Sequence, residues 1–83
     1  MENTVLEIVL KDVDDVNDFL HSSVLFNNDI DAYRKGFKNC TVDAKSFTSI
    51  MAISPVSPFL IELNSDDSRE KDAFIETFRK YEV

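Results

Sequence analysis

The residues able to do chemistry fall in three places. Lys45-Ser46 stand side by side in VDAKSFTSIMAIS, residues 42–54, where a strand-like Val42 gives way to an apolar run. An ammonium beside a hydroxyl at a helix start can bind or accept phosphate, because the backbone N–H groups there lack partners and favour anions. The same serine can simply cap the helix. Four aspartates, Asp12, Asp14, Asp15 and Asp18, crowd a second stretch. They could offer oxygens to Ca²⁺ or Mg²⁺, but no calcium-loop glycine or terminal bidentate glutamate is correctly spaced, so no metal site is assigned. Asp12 could also be read as an aspartyl-phosphate site beside Lys11; a helix cap with acidic first-turn residues explains it with fewer parts. The third group is two singletons, His21 and Cys40. Two residues make no structural zinc set, which wants four ligands. No Ser-His-Asp spacing and no glycine-rich loop points to hydrolysis or nucleotide binding, and no cofactor is expected.

The elements that must position these groups follow from periodicity. Thr4 to Leu10 reads as a strand, with Leu6, Ile8 and Leu10 toward a core and Val5, Glu7 and Val9 opposite. Asp12 to Phe26 reads as a helix capped by Asp12, with Val13, Val16, Leu20 and Val24 at helical spacing and Phe19 beside them. On that helix His21 is a partly exposed surface residue. Asp29 to Arg34 and Phe37 to Val42 read as strands joined near Lys35-Gly36, where the chain's one glycine suits a positive φ. Cys40 is then a half-buried small hydrophobe. Ser46 opens a short helix carrying Phe47, Ile50, Met51 and Ile53, which Ser54-Pro55 ends. Pro58 precedes a strand from Phe59 to Leu63. Asp67 and Glu70 have capping-box spacing before a last helix that reaches Tyr81, with Ala73, Phe74, Phe78 and Tyr81 on one face. The order β-α-β-β-α-β-α predicts an α+β fold whose antiparallel sheet carries its helices on one side.

The bulk numbers narrow the function. Eighty-three residues, 1–83, make a single domain with one thin core. Sixteen acidic against nine basic residues leave a net charge of −7, which repels nucleic acid and anionic lipid, so no nucleic-acid partner is expected. One cysteine permits no intrachain disulfide. The start, MENTVLEIVLKD, has no basic n-region of a signal peptide, and no apolar run approaches a membrane span. A cytoplasmic protein without membrane contact is expected.

This layout, with Val42-Asp43-Ala44-Lys45-Ser46 leading into a helix bearing Ile50, Met51 and Ile53, resembles the HPr family. HPr proteins are the histidine-containing phosphocarriers of the bacterial sugar phosphotransferase system. Asp66-Asp67 before the last helix agrees with that family. The resemblance covers nearly the whole chain in layout and is specific in its central segment. It implies an open-faced β-sandwich: four antiparallel strands in the order 1-4-2-3, covered by three helices on one face. The chain departs from the family before the first helix, where HPr proteins carry a histidine, then an arginine and usually a proline. Here the place reads Lys11-Asp12-Val13-Asp14-Asp15-Val16, in a stretch shorter than the family's. With Phe19 set on the aromatic of the family's first helix, Asp12 stands near the histidine's position and Asp14 near the arginine's.

The resemblance therefore implies an HPr-like protein that has lost its phosphoacceptor, with no catalytic residue and no enzyme activity. Its expected role is a protein-binding or regulatory module related to the phosphotransferase system. The family's docking surface lies on the first two helices, which here gives Phe47, Ile50 and Met51. The alternative is a working phosphotransferase-system component, phosphorylated at Ser46 or at an atypical site. Ser46 holds the motif position of the regulatory serine of Gram-positive HPr proteins, and as a plain cap it needs no such role. A third reading is a cation-linked structural protein. Val5, Val9 and Leu60 on the outer sheet face, with Glu7 and Glu62 among them, and a cluster of Ile53, Val56 and Phe59, would suit a partner or a homodimer if contiguous.

Overall fold

In a computed structural model, which describes residues 4–53 and 57–83, the chain forms β1 (Thr4–Ile8), α1 (Val13–Ser23), β2 (Ile30–Tyr33), β3 (Val42–Asp43), α2 (Phe47–Ile53), β4 (Phe59–Leu63) and α3 (Ser68–Phe78). A 3₁₀ turn, Lys38–Cys40, precedes β3, and another, Arg79–Tyr81, continues α3. The sheet order is β1-β4-β2-β3, with every neighbour antiparallel, as the resemblance implied. β4 thus lies between β1 and β2, which run in the same direction. Strands running the same way need a long crossover rather than a hairpin, and α1 is that crossover. α2 does the same for β3 and β4 on either side of β2. Among the described residues no helix is long and apolar enough to cross a membrane.

Alternation along the strands decides which side the helices cover. Leu6 pairs with Ile61, Ile8 with Phe59, and Ile30 with Leu63. All six are buried in one cluster with Val16 and Phe19 of α1, Ile50 and Ile53 of α2, and Phe74 and Phe78 of α3. The helices therefore share one face of the sheet. β1's free edge is met by the C-terminal segment. Val9 N–H donates to the Tyr81 carbonyl at 3.0 Å, and Val83 N–H donates to the Glu7 carbonyl at 3.0 Å. This pairing covers an edge that would otherwise expose unpaired backbone groups.

Several expected boundaries shift. β1 ends at Ile8, although Leu10 beyond it is still buried. The strand expected over Phe37 to Val42 is mostly a turn. Phe37 N–H donates to the Arg34 carbonyl, and Cys40 N–H to the Phe37 carbonyl, so local bonds replace the ladder and only Val42–Asp43 pairs with β2. Cys40 is consequently exposed and not half-buried. Gly36 has φ +84°, the conformation its lack of a Cβ suits. On α1 the buried residues are Val16, Phe19 and Ser23, with Leu20 packed against them, while Val13 and Val24 face outward. The helix stops at Ser23, so Val24 falls past the stripe, and the buried Ser23 hydroxyl is satisfied by the Leu20 carbonyl at 2.9 Å. On α3, Phe74, Phe78 and Tyr81 are buried, but Ala73 is exposed. Asp67 caps α3 by accepting Arg69 N–H; Glu70 does not close a capping box and instead accepts from the Asn28 side chain. Ser54, Pro55 and Val56, expected to end α2 and to join the Ile53 and Phe59 cluster, lie outside the described residues.

Phe19 is the α1 residue most committed to this core. Its ring is fully buried, 5.1 Å from Phe78 and 6.3 Å from Phe59 between centroids. Phe19→Ala is expected to cost about 3–5 kcal/mol in urea unfolding. Val24→Ser, on the exposed side, is expected to stay within about 0.5 kcal/mol of the wild type.

Candidate functional site

The start of α1 is built by its own carboxylates. Asp12 sits in extended backbone, φ −153° and ψ −179°, and its Oδ1 accepts Asp15 N–H at 2.9 Å. Asp15 reaches back, its Oδ2 accepting Lys11 N–H at 3.0 Å. The exchange resembles a capping box, with Asp15 serving the residue ahead of the cap rather than the cap itself. Asp14, exposed, and Asp15 occupy the first turn, where the helix dipole favours anions. At the start of α1 the Asp15 N–H and the positive dipole end are thus met by carboxylates. His21 is exposed in the last turn of α1, nine residues from Asp12 and so roughly 13 Å away along the axis.

The C-terminal segment faces this start across a cleft of about 420 Å³. Lys11, Asp12, Asp15 and Asp18 line one side. Lys80, Tyr81 and Glu82 line the other. Lys80 Nζ lies 3.8 Å from Asp18 Oδ2 and 5.2 Å from the centre of the Tyr81 ring. Tyr81 is 6% exposed, and its Oη has no hydrogen-bond partner among the described residues. Burial first, then the charges of Asp18 and Asp15, push its hydroxyl up to about 12. Sequence reasoning placed Tyr81 correctly in the core but missed this cleft. No local pattern announces that the C-terminal turn folds back beside α1. Among the described residues no set of three or more His, Cys, Asp or Glu side chains is placed to hold a metal ion.

The Lys45-Ser46 pair is divided between two tasks. Ser46 caps α2: its Oγ accepts Ser49 N–H at 3.4 Å and its carbonyl accepts Ile50 N–H at 3.0 Å. Lys45 Nζ donates to the Phe26 carbonyl at 2.6 Å, which ties the loop after α1 to the start of α2. Asp43 Oδ1 accepts Lys45 N–H at 2.9 Å and shapes the turn between them. On α2, Phe47 and Met51 are 52% and 39% exposed and stand four residues apart on one side of the helix. Ile50, expected on that surface, is fully buried and belongs to the core: it lies on the sheet-facing side of α2 with Ile53.

The outer sheet face carries a polar group that the sequence reading had as solvent-facing. Glu62 is 6% exposed; its Oε1 accepts the Tyr33 hydroxyl at 2.9 Å and lies 3.4 Å from Lys38 Nζ. Burial, then the hydrogen bond to Glu62, then the charges of Glu62 and Asp31 push Tyr33 up to about 12.

Comparison with known proteins supplies the fold. No protein-family model and no curated protein matches the sequence. The structure is similar to that of HPr-C-His from Thermoanaerobacter tengcongensis, with a TM-score of 0.67 and 22% identity over 96% of this chain and 93% of that one. It is equally similar to the phosphocarrier protein HPr from Bacillus anthracis strain Ames, with a TM-score of 0.67 and 22% identity over 98% of this chain and 96% of that one.

Two measurements check the site. Asp12→Ala is expected to cost about 1 kcal/mol in chemical denaturation through loss of the cap. Both tyrosines hold their protons in the folded state up to about pH 12, whereas unfolded tyrosine ionises near 10.0. The folded state then binds more protons than the unfolded state, so the tyrosines' contribution to stability is fully present below pH 10 and is lost as pH rises through about 12. An ultraviolet titration of tyrosinate is expected to show almost none at pH 10.0 in buffer and about half in urea.

Proposed function

From a chain with the HPr fold, we propose a cytoplasmic protein-binding or regulatory module related to the sugar phosphotransferase system, working without phosphohistidine. The observation that carries this reading is the Asp12–Asp15 cap at the start of α1. A phosphocarrier needs an imidazole of near-neutral pKa, with donors and cations around a group bearing close to two negative charges. Asp12, Asp14 and Asp15 present like charge to such a group, and the one histidine is at the far end of the helix. The likeness in fold to the phosphocarrier protein HPr from Bacillus anthracis supports the link to that system.

The partner is a protein that docks on α2. Phe47 and Met51 offer an aromatic ring and a pliable thioether, side chains that suit a binding surface. The net charge of −7 favours a basic rim on the partner. The outer sheet face is less suited to a homodimer, because Glu7, Asp31 and Asp43 would meet their own copies. A second reading, regulatory phosphorylation at Ser46, is favoured by the place of its hydroxyl at the α2 cap, where it accepts one long hydrogen bond from Ser49 N–H.

Intact-mass measurement after incubation with phosphoenolpyruvate and the first enzyme of the phosphotransferase system is expected to show no added phosphate. One phosphate added there would overturn the main reading. The same measurement with ATP and an HPr kinase decides the Ser46 reading, which predicts one phosphate in the wild type and none in Ser46→Ala. Met51→Asp is expected to weaken a purified partner's binding by about tenfold or more, as truncation of a central apolar contact does. Unchanged affinity would remove the α2 face from the proposal.

A further inference from the structure

The turn between β2 and β3 and the helix α2 enclose a second cleft, of about 320 Å³. Phe37 and Val42 line it from the turn, and Ala52 and Ile53 line it from α2. The turn is held by its own backbone: Phe37 N–H donates to the Arg34 carbonyl at 2.8 Å, and Cys40 N–H to the Phe37 carbonyl at 2.9 Å. This wall therefore stands without any ligand. Successive helical residues are turned by about 100°. Ala52 and Ile53 accordingly lie on the side of α2 away from Phe47 and Met51, so the cleft is separate from that exposed pair.

Charge identifies the kind of occupant. One charged side chain lines this apolar cleft, that of Arg34, and it forms no ion pair among the described residues. It belongs to a cationic stretch of an acidic chain. Arg34, Lys35 and Lys38 supply three of the nine basic residues within five positions, and no Asp or Glu stands between Asp31 and Asp43. A chain of net charge −7 repels anions at long range, so an anion is drawn here only by such local charge. Lys38 is already paired with Glu62 at 3.4 Å, which leaves Arg34 to meet the anion. Its planar fork matches a carboxylate through two parallel N–H···O bonds. A phosphate monoester is a poorer match, because it carries close to two charges and the cleft offers one cation. The apolar walls call for a tail behind the carboxylate, which would take the largely exposed Phe37 ring out of water. The volume is near the low end for small-molecule sites, roughly 300–1,000 Å³, so the tail is short.

We propose that this cleft binds a small monocarboxylate with an apolar tail, the class of a medium-chain fatty acid. Arg34 takes the carboxylate, and Phe37, Val42, Ala52 and Ile53 take the tail. The proposal does not rest on docking at Phe47 and Met51, and Met51→Asp is expected to leave it unchanged.

The experiment is a titration of the full chain with octanoate, below the concentration at which it forms micelles, followed by backbone amide NMR. Saturable shifts are expected at Phe37, Cys40, Val42 and Ala52. Octanol, which keeps the tail and lacks the charge, is expected to bind far more weakly. Arg34→Gln is expected to weaken octanoate binding about tenfold, the loss of a hydrogen bond to a charged group, and to leave octanol unaffected. Ala52→Phe fills the cleft from an exposed helix position and is expected to abolish binding of both with the fold kept. Cys40, exposed on the same wall, is an independent reporter. Octanoate is expected to slow its alkylation by N-ethylmaleimide in the wild type and not in Ala52→Phe. Failure of octanoate to saturate, equal affinity for octanol, unchanged affinity in Arg34→Gln or Ala52→Phe, or shifts centred on Phe47 and Met51 would overturn the proposal. So would tighter binding of a peptide with an apolar C-terminal residue, which would assign the carboxylate to a partner protein.

Discussion

The burial of one aromatic cluster holds the functional surfaces in place. Phe19 from α1 meets Phe78 from α3, and Phe26, just past α1, meets both Phe74 and Phe78. Tyr81 closes the row at 6.4 Å from Phe19. Rings of this size bring large apolar area and prefer edge-on or tilted contacts, which restricts how the two helices can sit. With α1 and α3 fixed against each other, the turn after α3 must pass the start of α1. That passage places Tyr81 and Lys80 beside Asp15 and Asp18. The acidic cleft is therefore a consequence of the core and not of any local motif.

The sheet imposes a second constraint. β4 pairs with β1 on one side and β2 on the other, so its inward residues Phe59, Ile61 and Leu63 form the middle of the core. Its outward residues carry the polar consequences. Leu60 and Glu62 lie on the open face, and Glu62 is shielded there by Tyr33 and Lys38. A carboxylate so enclosed is tolerated because it is hydrogen-bonded and paired.

Charge marks the start of α1. The backbone arrangement is shared with HPr structures at 22% identity, and in this chain the first turn of α1 carries Asp14 and Asp15. A helix N-terminus attracts whichever anion is nearest. Carboxylates of the same segment are the nearest anions here, and Asp12 accepts the Asp15 N–H. The fold tolerates such charge there because its stability comes mainly from the cluster and the sheet, which lie elsewhere.

Much of this was legible in the sequence, because it depends on spacing along one element. Alternation in Leu6, Ile8 and Leu10 identified the buried side of β1, and Asp12, Asp67 and Ser46 were recognisable as caps from their neighbours alone. The resemblance carried the strand order, which periodicity cannot supply. Positions decided by distant partners were read differently. Ile50 looked like part of a docking face but turns inward, since only packing selects which side of a seven-residue helix meets the sheet. Phe37 to Cys40 had the composition of a strand, yet bonds to Arg34 and Phe37 carbonyls curl it into a turn. Lys45 looked like a phosphate ligand until the Phe26 carbonyl, nineteen residues earlier, claimed its ammonium. The sequence by itself determined the elements, their caps and the absence of a histidine at the start of α1. Only the tertiary structure decided which charges share a cleft, because those groups come from opposite ends of the chain and meet only when the core has formed.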